Sequence, residues 1–210
     1  MVLDLNIFKT ILLNIAKTFK ENEKELCLLD SNIGDGDHGV AMVKIAHILE
    51  NKCSAADKDI SISKLFDDIG FEIINSVGGS SGMLWGTYFA GLGQGAMGFD
   101  LVDATLLKRM FASAKKEITQ ISEAKTGDKT MMDAILPATE AVMSAEGDIA
   151  DILRAAAAAA GRGADETAHY VAKYGRAKNL KEGSLGFKDA GAVSAAMFFE
   201  VFEETLQKLG

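Results

Sequence analysis

Residues 3–24 read LDLNIFKTILLNIAKTFKENEK. Phe8, Ile11, Leu12, Ile15 and Phe19 recur at intervals of three and four, which gathers them into one apolar stripe with Lys and Glu opposite. That pattern predicts a long amphipathic helix over Leu3–Lys24, and it returns along the whole chain. Val40, Val43, Ile45 and Ile48 mark a second helix to Leu49, closed by Asn51. Ile62, Leu65, Phe66, Ile69 and Ile73 mark a third, which stops at the glycine pair of NSVGGSSG (75–82). A fourth, LWGTYFAGLGQGAMG (84–98), is rich enough in glycine to pack closely against a neighbour or a ligand. Asp100 with Asp103 reads as an N-cap and its returning carboxylate, opening a fifth helix through Leu106, Met110, Phe111 and Ile118. The turn KTGDKTMMD (125–133) precedes a sixth with Ile135 and Val142, and Pro137 is close enough to its start to be tolerated. Asp148 starts a seventh, whose alanines Ala155–Ala160 make a thin, helix-favouring rod. After a loop over 174–189, a last helix carries Val193, Met197, Phe198, Val201, Phe202 and Leu206. No alternating strand and no Asn-Gly hairpin interrupts this series. The expectation is an all-α fold of seven or eight helices, with the glycine-rich turns at helix ends.

The composition narrows the function. A chain of 210 residues with one proline shows no linker, so a single domain over 1–210 is expected. The net charge is −8 and no basic stripe is visible, which argues against nucleic acid as a partner. No apolar run reaches the roughly eighteen residues that a membrane span requires, and the first twenty residues are amphipathic and carry Asp4. Cys27 and Cys53 lie far apart without CxxC spacing, as reduced thiols do. A soluble, unexported, cytoplasmic protein with no membrane partner is expected.

The chemistry concentrates in DSNIGDGDHG (30–39), which packs Asp30, Asp35 and Asp37, one histidine and three glycines into ten residues. Three carboxylates this close repel and raise one another's pKa unless a cation shares them. The bottom-up reading is therefore a metal site, and with only oxygen ligands in the loop the metal is hard. An EF-hand calcium loop counted from Asp35 fails: Gly39, Val40 and Ala46 stand where a ligand, the turn glycine and the closing glutamate belong. Magnesium, held by one or two carboxylates together with water and phosphate oxygens, suits the three aspartates and implies a phosphate ligand. A solvated acidic turn, using Gly and Asp for backbone freedom, is the alternative.

Other motifs carry less. Gly93, Gly95 and Gly98 spell a dinucleotide fingerprint, but at the end of a helix rather than after a strand. Gly78, Ser80 and Gly82 spell the elbow of a serine hydrolase, with Asp128 or Asp133 and then His169 in suitable order, yet no strand precedes them. A plain interhelical turn, or a phosphate-binding turn of serine hydroxyls and glycine amides, are the other readings of that segment. There is no Walker motif. His47 and His169 receive no role. His38, beside Asp37, is placed to donate to a phosphoryl oxygen, to act as an acid, or only to buttress the loop. Arg176 is either a solvated loop cation or a guanidinium fork for phosphate.

Taken together, IGDGDHG, SVGGSSG with the following Gly86-Thr87, GDKTMMD and YGRAKNLKEGSLGFKDAGA resemble the nucleotide-binding L subunit (DhaL family) of bacterial phosphotransferase-dependent dihydroxyacetone kinase. They stand in the family's order and spacing over nearly the whole chain. The resemblance implies an antiparallel eight-helix barrel with ADP, or ATP as an intermediate, at one end. It implies that Asp30, Asp35 and Asp37 hold two magnesium ions, that His38 and Gly39 lie against the phosphates, and that Gly79, Ser80 and Ser81 line them. Met131 would touch the adenine; Arg176, Asp189, Ala190 and Gly191 would complete the pocket, with His38 and Arg176 in catalytic positions. The implied activity is a kinase relay. A phosphohistidine on an M subunit recharges bound ADP, and the phosphate passes to dihydroxyacetone held on a K subunit. A subunit for another hydroxyketone using exchangeable ATP, or a nucleotide-state sensor bound by a transcription regulator, stays open. The chain departs from the family's usual pattern at Ala190, where proline is common, and at Met83 and Ser122.

Overall fold

The computed structural model describes residues 1–57 and 59–209; Gly210, the last residue of the expected domain, lies outside them. Among the described residues the chain forms nine α-helices: α1 Leu5–Glu21, α2 Glu23–Ser31, α3 His38–Ala55, α4 Ile62–Ser76, α5 Gly79–Gly95, α6 Ala104–Ile121, α7 Met132–Ser144, α8 Ile149–Glu166 and α9 Ala190–Leu209. Two 3-10 helices, Thr167–His169 and Ala177–Ser184, occupy the connection from α8 to α9. No strand forms among these residues, which removes the strand that both the dinucleotide fingerprint and the hydrolase elbow require.

Eight of the helices close a ring. Each of α3, α4, α5, α6, α7, α8 and α9 packs on the next, and α9 returns onto α1, which packs on α3. The short α2 lies across α3 and α9. Direct connections make sequential neighbours antiparallel. The expected eight-helix antiparallel barrel is therefore the observed architecture, with α2 as an addition. At the far end, Leu3 and Val102 exchange backbone hydrogen bonds of 2.8 Å, tying the start of the chain to the link between α5 and α6.

Aromatic rings fill the barrel. Trp85, Tyr88 and Phe89 of α5 meet Phe198 of α9 across its middle, and Phe111 of α6 meets Phe199 and Phe202 of the same helix. Phe198 is the hub, with ring centroids 5.3 Å from Phe199, 5.5 Å from Trp85 and 5.9 Å from Phe89. Edge-on and tilted pairs of this kind are favourable beyond the area they bury. The glycines of α5 turn toward neighbouring helices: Gly86 toward α4, Gly91 and Gly95 toward α6. The close neighbour foreseen for that segment is therefore protein.

Helix ends differ from expectation where local capping outweighs the apolar stripe. The first helix stops at Glu21 instead of Lys24, because Asn22 folds back with its side chain donating to Thr18 O, and α2 begins at once. The second starts at His38, not Val40, and runs past Asn51 because the buried stripe Ile45, Leu49 continues to Cys53. Asp103, and not Asp100, caps α6, its carboxylate accepting from Leu106 N at 2.8 Å. Asp148 caps α8 in a reciprocal pair with Asp151.

Pro137 sits inside α7 and has no N–H, so the carbonyl of Asp133 four residues earlier lacks its helical donor. That carbonyl faces α8 at Gly163, where a Cβ would stand 1.9 Å from Asp133 O. Gly161, on the same helix, has nothing within 4 Å of its Cβ position. Opposite signs follow for one chemical change. Gly163→Ala is expected to destabilise by about 1–3 kcal/mol through overpacking, and Gly161→Ala to stabilise by up to about 1 kcal/mol through helix propensity. Urea unfolding of the two variants measures both; equal shifts would contradict the packing described.

Candidate functional site

Alternation along the barrel decides where the site forms. Four of the connections, 32–37, 77–78, 122–131 and 167–189, fall at one end, so α3, α5, α7 and α9 all begin there. Residues at their starts, His38, Gly79, Met132 and Gly191, line one cleft of about 760 Å³, a size suited to a nucleotide-sized ligand. Each helix start brings unpaired N–H groups and the positive end of its dipole, so the mouth favours an anion.

The aspartate loop joins α2 to α3. Asp30, in the last turn of α2, reaches across it: its Oδ2 accepts from Asp37 N at 2.9 Å and from His38 N at 3.3 Å. Asp30 thus caps α3 from outside. Asp37 stands at the N-cap position but makes no capping bond with its side chain, leaving its carboxylate free. One oxygen from each of Asp30, Asp35 and Asp37 lies within 4.8 Å of the others, and all three residues line the cleft. An all-oxygen, all-anionic donor set of this spacing fits a hard divalent cation. Arg176, mostly exposed on the α8–α9 connection, sets its Nη2 2.7 Å from Asp35 Oδ2. The partner of its guanidinium here is a carboxylate, met through one nitrogen, and Arg176 also lines the cleft.

His38 begins α3 and is buried between two hydroxyls, with Nε2 2.9 Å from Ser194 Oγ and Nδ1 3.2 Å from Ser81 Oγ. Burial pulls its pKa down to about 4, against the pull of Asp30, so the ring is neutral near pH 7. Gly79, Ser80 and Ser81 form the start of α5 and line the cleft. Met131, buried at the start of α7, borders Gly191 at the start of α9. Asp189 caps α9, its Oδ2 accepting from Ala192 N at 2.8 Å, and burial pushes its carboxyl up to about 7.

Two expected site residues, Gly39 and Ala190, are not among those lining the cleft. Gly39 is buried against α2, where a Cβ would meet Glu23 O at 2.0 Å, so it seats one helix on another. Ala190 turns into the protein interior and is 4% exposed. Met83 and Ser122, two of the departures from the family pattern, both line the cleft.

Lys129 is the main residue that the sequence reading missed. It is 2% exposed at a left-handed φ of 60°, and its ammonium donates to the carbonyls of Thr167 and Phe187. Burial lowers its pKa, while Asp189 and Asp133 oppose that shift. It fastens the 125–133 turn to the α8–α9 connection, and the nearby pair of Lys173 with Asp128 repeats the attachment. Its motif, GDKTMMD, was visible; its burial was not. Lys44, which carried no local signal, and Tyr174, which opens the YGRAKN stretch, also line the cleft.

Proteins similar to this chain include kinases and kinase subunits. The chain is 31% identical over 211 residues to the PEP-dependent dihydroxyacetone kinase 2, ADP-binding subunit DhaL, of Listeria innocua, covering 99% of this chain and 98% of that one. It is 32% identical over 187 residues to the corresponding ADP-binding subunit of Escherichia coli, covering 87% and 88%. The crystal structure of the dihydroxyacetone kinase of C. freundii superposes with a TM-score of 0.74 at 28% identity, over 93% of this chain and 34% of that longer one. The same enzyme in complex with AMP-PNP and Mg2+ superposes at 0.69. A match to the DAK2 domain extends over residues 32–204, and with relatives similar along almost their full length the chain belongs to the DAK2 domain family.

Proposed function

We propose that this chain, residues 1–210 acting as one unit in the cytoplasm, binds ADP or ATP with two magnesium ions and relays phosphate within a dihydroxyacetone kinase. One observation carries the reading: three carboxylates with oxygens within 4.8 Å of one another, at a cleft into which four helix N-termini open. Cation ligands and anion-binding amides at one mouth suit a metal-bound polyphosphate and little else. The ADP-binding relatives and the AMP-PNP and Mg2+ complex support the same choice.

Asp30, Asp35 and Asp37 are the residues to hold the ions. Magnesium, when bound, supplies positive charge that neutralises the phosphate oxygens and aligns them for in-line transfer. The amides at Gly79 and Ser80 face the phosphates from the start of α5. Met131 offers an apolar surface to the base, and Asp189 and Gly191 close the side opposite α3. His38, neutral and hydrogen-bonded at both nitrogens, is fitted to orient hydroxyls beside the phosphates and not to release a proton at pH 7. Arg176 brings a guanidinium to the edge of the carboxylates, within reach of the group they help to hold. Phosphoryl transfer asks a protein mainly for such positioning and charge neutralisation. In this reading the hydroxyketone arrives on a K-type partner and the phosphate on an M-type phosphocarrier, which accords with relatives that are subunits of PEP-dependent dihydroxyacetone kinases.

Two variants test the assignment. Asp35→Ala is expected to weaken magnesium-dependent ADP binding at least about 100-fold, read by calorimetry; unchanged affinity would remove Asp35 from the metal site. Arg176→Met is expected to slow phosphoryl transfer to the partner-bound hydroxyketone by about 10²-fold or more while changing ADP affinity less. Equal losses in affinity and rate would make Arg176 a binding residue only.

A further inference from the structure

Ser194 is fully buried in α9 and does not line the cleft, yet it touches the residue that does. Its Oγ lies 2.9 Å from His38 Nε2, and on the other side of the ring His38 Nδ1 lies 3.2 Å from Ser81 Oγ. Three side chains from α9, α3 and α5 therefore form one chain, which ends at Ser81 on the cleft wall.

The direction of the hydrogens decides what that chain does. A neutral imidazole has one N–H and one bare nitrogen, so its two serine partners must play opposite parts. In the inward arrangement, Ser81 donates to Nδ1, Nε2–H donates to Ser194, and Ser194 donates to Gly191 O at 3.0 Å. The cleft then meets only the lone pairs of Ser81. In the outward arrangement, Ser194 donates to Nε2, Nδ1–H donates to Ser81 Oγ, and the Ser81 hydrogen is free to point into the cleft. Gly191 O does not depend on Ser194, because the helical ladder of α9 supplies it with the N–H four residues on. With an anion in the cleft the outward order wins. It places a donor on the negative oxygen, and each donated hydrogen polarises the next.

We propose that Ser194 is a positioning residue that donates to His38 Nε2, fixes the ring hydrogen on Nδ1, and so aims the Ser81 hydroxyl at a phosphate oxygen. This rests on the nucleotide reading above and adds a residue that never touches the nucleotide. His38 transfers no proton in this role; it passes on an orientation.

A double-mutant cycle in the full-length protein, with magnesium ADP as the probe, tests it. Ser194→Ala and Ser81→Ala are each expected to weaken binding about tenfold, and the double variant no more than Ser81→Ala alone. Additive losses would mean that Ser194 acts by packing and would overturn the proposal, as would wild-type affinity in Ser194→Ala. Nitrogen-15 spectra of wild-type protein with magnesium ADP give a readout independent of the variants' folding: hydrogen on Nδ1 and a bare Nε2 are expected for His38, and the reverse would overturn the proposal. Wild-type protein that fails to bind magnesium ADP would defeat the nucleotide reading itself, and the relay with it, which is a different result from a bound nucleotide insensitive to Ser194.

Discussion

Everything at the functional end depends on ring closure: eight helices alternate in direction, and α9 must return to α1 around a core of aromatic rings. Alternation has an electrostatic consequence. Helices α3, α5, α7 and α9 all point their N-termini at the same mouth, so their backbone N–H groups and dipoles add there. The barrel does not enclose its ligand, because Trp85, Tyr88, Phe89, Phe198, Phe199 and Phe202 fill the interior. Its rigidity instead fixes the distances between loops that are far apart in sequence.

The mouth balances two kinds of charge. Helix starts and Arg176 favour anions, while Asp30, Asp35 and Asp37 favour cations, and the two sets face one cleft. A ligand carrying both, a polyphosphate with divalent ions, satisfies them together. The supporting interactions are internal. Asp30 takes the amides of Asp37 and His38 and leaves the Asp37 carboxylate free. Lys129 and Lys173 attach the 125–133 turn to the long connection that carries Arg176. Asp189 caps α9 and closes the opposite side. Each of these contacts holds a loop, and none extends a helix.

The helices were legible because apolar residues at spacings of three and four record which face is buried, as at Phe8, Ile11, Leu12, Ile15 and Phe19. Their ends were less so. Asn22 and Asp103 decide two of them through single hydrogen bonds that compete with equally plausible neighbours. The aspartates were legible because crowding of like charge is local to ten residues. The contacts of Arg176, Lys129 and Ser194 were not, since each is made across the barrel mouth. His38 and Ser194 are 156 residues apart in the chain, and nothing in either neighbourhood signals the other. Gly39 shows the converse. A glycine in a binding motif serves helix packing, which only the approach of Glu23 O reveals.

The central claim is that the cleft holds a magnesium nucleotide through the three aspartates. The most direct test is the content of the protein purified in magnesium and ADP, dialysed and then denatured, with nucleotide measured by chromatography and metal by elemental analysis. About one adenine nucleotide and one to two magnesium ions per chain are predicted. A folded protein that releases neither would contradict the account.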